Sequence, residues 1–433
     1  MAIIPQFSMF SWENDINILG DLERLESILG VLPDEKLMKK LEARRGYGRN
    51  DFPVRAMWNT VIAMLVFGHS KFADVLRELK RNVQLKYMCG FEKGKLPSAA
   101  NMSRFVKSLK QESKEINQIF NELVSHLYVE IPGFGESLAL DSKWVHSMAN
   151  NVSSRKTPDG RSEHDAAWGK KEYKGISKDG KAWSKTEKCF GFKLHVLVDA
   201  TYELPVAYST STAAASDIVE GKKLMHQTKE DELEILEKCK HLMADRGYDD
   251  TDFIKYLKSE GIKAIIDKRS MWRADTEKEV PKHSGMYYNE KGAVFCYSPK
   301  FGEKHTMASA GYDEERQAQR MQCPVKRYGA YCREAETCTH SKTIRVPLST
   351  DDRIFTQVSR TSYKWEKLYN KRSSVERVFS RLDVSFGFET KRVRGMEKMA
   401  LVSVLGLIVM NAIALGRYRQ KRPDLMRSLV TAA

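Results

Sequence analysis

The chain is 433 residues long, 42% hydrophobic and 10% aromatic, which excludes a mainly disordered or collagen-like polymer and suits two or three domains. Lys and Arg total 72 against 57 Asp and Glu, and the +15 excess suits a polyanionic partner, nucleic acid first and an anionic membrane surface second. Seven cysteines over this length exclude a disulfide framework, and the opening MAIIPQFSMFSWEND has neither the basic nor the apolar run of a secretory leader, so a reducing cytoplasm is expected.

Residues 1 to 130 read as a helical, DNA-binding region. Leu19, Leu22, Leu25, Ile28 and Leu29 recur at helical spacing. A stronger helix is predicted from Pro53 through VRAMWNTVIAMLVF, then KFADVLRELKRN capped by Ser70. After the loop CGFEKGKLPS comes the long run AANMSRFVKSLKQESKEINQIFNELVSHLY. Two helices around a short loop, the second bearing Arg104, Lys107 and Lys110, have the layout of a helix-turn-helix DNA reader. A plain helical bundle with solvated charges fits the same pattern.

From residue 137 the period changes, and SLALDSKWV reads as a buried strand. Asn150 to Lys188 reads as a polar loop with ten Lys or Arg, six Asp or Glu, and Trp168, Tyr173 and Trp183 interleaved. That mixture suits nucleic-acid backbone contact and base stacking, with Lys170 and Lys171 as candidates, and equally a solvated loop. GFKLHVLVDA and LPVAYSTST form a hairpin, SDIVEGKKLMHQ a helix, KHLMADRGYDD a strand and turn, TDFIKYLKSEG a helix and IKAIIDKRS a strand. The order implies a mixed α/β domain, 131–269 and 351–420, with antiparallel strands first and parallel strands later. Residues 270–350 break the rhythm as a cysteine-containing insertion of β and irregular structure before the helix YKWEKLYNKRSSVERVFSRLDV. The final apolar run, Met399 to Leu415, is short for a membrane span and carries Ser403, Gly406 and Asn411, so it reads as a buried core helix.

Asp141 falls inside an otherwise apolar strand and Asp245 at the end of another. A buried carboxylate needs a cation, hydrogen bonds or a metal. Two carboxylates about 4 Å apart repel by roughly 4 kcal/mol at an effective dielectric near 20, which calls for divalent cations between them. Mg²⁺ suits all-oxygen ligands facing phosphate. Tyr369, Arg372 and Glu376 lie at helical offsets 0, 3 and 7, so a phenol, a phosphate-matching guanidinium and a third carboxylate share one face. Singly, each has a structural explanation: a salt bridge for Asp141, a turn cap for Asp245, an Arg372 pair for Glu376.

Together these elements resemble the DDE transposases of bacterial insertion sequences, particularly the groups numbered four and five and their relatives with a cysteine-rich insertion. The resemblance covers most of the chain and rests on LALDSK, GFKLHVLVDA with LPVAYSTSTAAASD, ADRGYDD, Y-x2-R-x3-E at Tyr369, Arg372 and Glu376, and LPSAANMSRFVKSL near the N-terminus. It implies a ribonuclease H-like catalytic fold with Asp141, Asp245 and Glu376 as a catalytic triad binding Mg²⁺ or Mn²⁺. Such a triad runs two-metal phosphoryl transfer, here DNA strand cleavage and strand transfer at the ends of an insertion sequence. Tyr369 and Arg372 are implied to act on DNA near the scissile phosphate. The implied partners are double-stranded DNA, both terminal inverted repeats and target, and a second copy of the chain, because two ends must be synapsed. No membrane partner is expected, and the location is nucleoid-associated cytoplasm. One position departs from the family: Asp383 stands where a Lys follows the Glu by seven residues. Arg381, Lys391 and Arg392 are candidates for the missing cation. The departure leaves a rival reading, a catalytically decayed transposase that only binds DNA.

Cys296, Cys323, Cys332 and Cys338 cluster in the insertion with His340, at spacings of x26, x8, x5 and x1. Zinc on four thiolates fits, and so do reduced, unliganded thiols, since no tight C-x2-C pair is present. Cys338 and His340 are too close to be easy co-ligands. Cys89, Cys189 and Cys239 read as buried hydrophobes.

Overall fold

The computed structural model describes residues 21–45, 52–91, 95–149, 162–177, 179, 181–231, 234–273, 276–388 and 394–428. Helices come first: α1 (Leu22–Val31), α2 (Glu35–Arg45), α3 (Val54–Val66), α4 (Phe72–Arg81), α5 (Val83–Cys89), α6 (Ala99–Gln111) and α7 (Ser113–Glu130). Pro53 immediately precedes α3, where its missing N–H costs no helical bond. Trp58 on α3 is fully buried, and its indole N–H donates to the buried Asp34 carboxylate at 2.6 Å. Helix α5 has no counterpart in the sequence reading. Asn82 caps it by accepting from the Leu85 N–H, and Gly90 ends it at φ 95°. The long run predicted after residue 98 is split at Glu112, and α4 is preceded by Lys71 with no side-chain cap, not by Ser70.

The sheet follows with β1 (Ser137–His146), β2 (Ala167–Ile176), β3 (Ala182–Asp199) and β4 (Leu204–Thr212). Next come α8 (Asp217–Glu230), α9 (Ile235–Lys238), β5 (His241–Ala244), α10 (Thr251–Ser259) and β6 (Lys263–Ile266). Strand β3 pairs antiparallel with β1 and β4 through its second half and with β2 through its first; β1, β5 and β6 are parallel. The mixed α/β class and the hairpin after residue 190 are therefore as expected. The polar stretch is different. Residues 150–161 lie outside the described residues, but β2 and the first half of β3 make a ribbon, not a loop. Residues 182–186 of β3 are exposed on both faces, so no apolar period marks them as strand.

The insertion carries β7 (Glu277–Glu279), β8 (Met286–Asn289), β9 (Val294–Tyr297), β10 (Lys304–Thr306), β11 (Ala308–Asp313), β12 (Ala318–Gln322), α11 (Pro324–Tyr328) and β13 (Thr343–Pro347). Strands β7 to β10 form one small antiparallel sheet and β11 to β13 another, around a core of their own that includes Met286, Met321, Ile344 and Phe355. Arg353 anchors this unit to the main sheet by pairing with the fully buried Asp249 carboxylate.

The chain ends with α12 (Tyr363–Asn370), α13 (Ser373–Phe386) and α14 (Met396–Arg419). Helix α13 lies over β1 and β3, while α14 packs on β4, α1, α3 and α7. Among the described residues α14 is the one helix long and apolar enough to cross a membrane, with mean hydropathy 2.3, yet 89% of that window is buried. Asn411 spends its amide on the Pro205 carbonyl at 3.0 Å. Residues of α1 to α7, the sheet and α14 share one continuous core.

Two histidines in the sheet make the fold acid-sensitive. His195 on β3 is fully buried with Nε2 2.8 Å from the Ser211 hydroxyl, and burial pushes its imidazole down to about 4. His241 on β5 is pushed to about 4 by the same cause. The unfolded chain binds protons near pH 6.5 and the native chain only near 4, so stability is full above 6.5 and falls as pH drops through that window. For His195 the loss is about 3 kcal/mol by pH 4. A melting temperature that falls less steeply in His195→Gln than in the native chain between pH 6.5 and 4.5 is the expected result, and equal slopes exclude this role.

Candidate active site

The parallel register of β1 and β5 pairs Leu140 with Ala244, so the next residues, Asp141 and Asp245, emerge side by side where the strands lie about 4.8 Å apart. Asp245 starts a tight turn, Arg246–Tyr248, and its Oδ1 accepts the Gly247 N–H at 2.7 Å. Asp141 accepts the Ser142 N–H at 2.7 Å. Burial first, then the neighbouring Asp245 charge, raises the Asp141 carboxyl to about 7, while the Ser142 N–H, Arg372 and Lys171 oppose the shift.

Glu376 stands in the first turn of α13, over this strand end. Arg372 links β1 to α13, donating to Asp141 Oδ2 at 3.3 Å and to Glu376 Oε1 at 2.7 Å. Tyr369 stacks on Trp365 with centroids 4.7 Å apart and planes at 10°, and the Arg372 guanidinium lies 5.8 Å from its ring. The single helix expected across these residues is broken. Lys371 and Arg372 separate α12 from α13, but both keep right-handed helical dihedrals, so Arg372 still reaches Glu376 one turn on.

One guanidinium ties two of the three carboxylates, Asp141 and Glu376, and Asp245 lies beside Asp141 at the end of β5. The donor set is all oxygen, and a divalent cation there would offset the burial and the Asp245 charge that raise the Asp141 carboxyl. Among the described residues no three such side chains already stand close enough to hold a metal, and the Arg372 guanidinium is bonded to both Asp141 and Glu376.

Residues 155–412, which include Asp245 and Glu376, match the family model described as transposase DDE domain; residues 11–108 match the transposase domain DUF772. The chain belongs to the DDE transposases. A search of curated proteins returned no match. A cryo-EM structure of the piggyBac transposase synaptic complex with hairpin DNA is similar over 95% of this chain and 80% of that one, at 12% identity and a TM-score of 0.39, too low to carry an argument.

In this transposase Asp383 pairs with Lys143, two residues beyond Asp141 on the same face of β1. None of the three cations named from sequence is described beside Asp383. Arg381 is mostly buried and donates to the Glu203 carbonyl, and Lys391 and Arg392 lie outside the described residues. Lys143 was legible in LALDSK, but only the sheet shows what it faces. Behind β1, Asp217 accepts from the Ser142 hydroxyl at 2.7 Å and from the buried Lys193 at 2.9 Å.

The remaining candidates are dispersed. Lys170 and Lys171 are adjacent on β2 and so point to opposite faces of the ribbon. Lys170 pairs with Glu172 at 2.5 Å, while Lys171 lies 4.9 Å from the Trp144 ring, and its charge reaches Asp141. Arg104 is exposed on α6, donating to the Asn101 side chain at 2.6 Å. Lys110 is tied to Glu397 at 2.8 Å. The four insertion cysteines all line one cavity, whereas Cys89, Cys189 and Cys239 are buried elsewhere.

Proposed function

We propose that this transposase cuts and joins DNA at the ends of an insertion sequence through Asp141, Asp245 and Glu376, holding Mg²⁺ or Mn²⁺. The observation that carries the reading is the register of β1 against β5, which sets two strand-borne aspartates side by side under the helix bearing Glu376. The sheet order β4-β3-β1-β5-β6, antiparallel then parallel, supports a ribonuclease H-like catalytic domain at 131–269 and 351–420, with the insertion at 270–350. Bound metal would supply the charge that activates the attacking oxygen and steadies the leaving one. The protein's own groups hold and orient: Arg372 offers a guanidinium matched to a phosphate, and Tyr369, stacked on Trp365, walls the same site. Partners are duplex DNA at both element ends and at target, a second copy of the chain, and no membrane; the place of work is the nucleoid. Nicking of a labelled duplex carrying an element end, dependent on added Mg²⁺ or Mn²⁺, is the test. Strand cleavage undiminished by thorough chelation excludes the metal site.

The ribbon and α6 divide the DNA contacts. Lys170→Ala with Lys171→Ala is expected to weaken binding to every sequence alike and lower the log–log salt slope by about one to two, near 0.9 per phosphate contact. Preference for the terminal repeats survives, since phosphate contacts position DNA without specifying it. Arg104→Ala with Lys107→Ala is expected to reduce that preference. These point variants are the proper test, because removing residues 1–130 strips α1 to α7 from the shared core. Gel-shift titrations at several salt concentrations decide both, and an unchanged slope removes the ribbon from the interface.

A further inference from the structure

The insertion brings together cysteines from positions 296 to 338. Cys296 lies on β9, Cys323 immediately precedes α11, and Cys332 and Cys338 sit in the turns that follow. All four are partly exposed and line the same cavity of about 380 Å³, with His305 and His340 also in its wall. The other three cysteines are buried, so the division is by place and environment alike.

The segment around Cys332 and Cys338 is irregular and is held to the β9–β10 turn by polar contacts: the buried Glu334 accepts the Lys300 N–H at 3.0 and 3.1 Å, and Arg333 pairs with Glu303 at 3.1 Å. Between α11 and β13 no regular element forms; turns such as Ala335 N–H to Cys332 O and Thr337 N–H to Glu334 O, each 3.1 Å, carry the backbone. The insertion's core is small, and small units of this kind are commonly fastened by a metal or disulfides. Soft thiolates gathered from separate elements in a cytoplasmic chain select zinc.

We propose that Cys296, Cys323, Cys332 and Cys338 form a structural zinc site that fastens the 323–342 segment to β9. His340 is left outside the set: its Nε2 is 2.9 Å from the Tyr297 carbonyl oxygen, to which it donates, and it follows Cys338 by two residues. The thiols surround the cavity without three of them already at metal-binding separation, so zinc draws the segment inward. The fastened segment displays Tyr328 and Tyr331, 71% and 79% exposed, among Lys326, Arg327 and Arg333.

Full-length protein, grown with zinc and purified under reducing conditions, is expected to carry about one zinc per chain. Cys332→Ser and Cys338→Ser bring the content to background, whereas Cys89→Ser and His340→Ala keep it. Should a cysteine variant fail to fold, cobalt exchanged into the native chain gives an independent reading through its thiolate charge-transfer absorption. Chelation opens the 323–342 segment to limited proteolysis ahead of the rest. Zinc-free native protein whose cobalt form lacks the thiolate band overturns the proposal. So does loss of the metal in His340→Ala, or a pair of disulfides among the four thiols. None of these readouts uses DNA, so the catalytic reading stands or falls separately.

Discussion

Asp141→Asn, Asp245→Asn and Glu376→Gln are each expected to lower strand cleavage by about 10²–10³-fold or more, the scale of losing one preorganised charge-stabilising group. DNA binding should stay within a few-fold of the native chain. The separation follows from where the carboxylates sit. Asp141 stands in β1 where its pairing with β5 ends, Asp245 lies just past the end of β5, and Glu376 is largely exposed on α13, so none is a fastening of the core. Asparagine at 141 also removes a carboxyl that burial and Asp245 already disfavour as an anion. That variant should therefore melt no lower than the native chain at pH 8 without metal, while cutting no DNA. Native-like cleavage by any one of the three takes that residue out of the site. Parallel loss of binding and folding reassigns it to structure.

Gly247→Ala is expected to cost about 10²-fold in cleavage through displacement alone. A methyl group at Gly247 stands 2.6 Å from Asp245 Oδ1, closer than any unstrained contact, and the Gly247 N–H holds that same oxygen at 2.7 Å. The carboxylate must swing away, and with it one of the two aspartates brought together by the β1–β5 register. Gly30→Ala is the control, because nothing lies within 4 Å of the added methyl there. The expected signature is unchanged melting and DNA affinity with a higher metal concentration needed for half-maximal cleavage. Native-like metal dependence and rate would show that Asp245 tolerates the shift.

The sequence made the sheet and its acids readable for a physical reason. In LALDSK and GFKLHVLVDA, apolar residues that must be buried on both faces leave few alternatives to a central strand, so a charge within them is conspicuous. The β2–β3 ribbon lacked that signal, since Trp168, Lys170, Trp183 and Lys185 give a mixed, exposed surface without period. Breaks in helices were also invisible. Neither Glu112 nor Lys371–Arg372 is a Gly or Pro, so no breaker in the sequence marks either interruption. The role of Arg372 as a bridge, and the pairing of Lys143 with Asp383, depend on residues far apart in the chain meeting across α13. Spacing along the sequence carries no information about such meetings.

Helix α14 is wedged among α1, α3, α7 and β4, and its apolar side chains belong to the same packed interior as Trp58 and Leu140. If α6 reads DNA, as proposed, the distance from a recognised base to the severed bond is therefore fixed by interlocked side chains, not by a flexible tether. The molecule works as a caliper. Moving a recognition sequence by one base pair shifts it about 3.4 Å along the duplex and rotates it as well. Jaws joined through a solid interior cannot follow that displacement. Element ends served by this protein must accordingly keep a constant interval between their recognised bases and their termini.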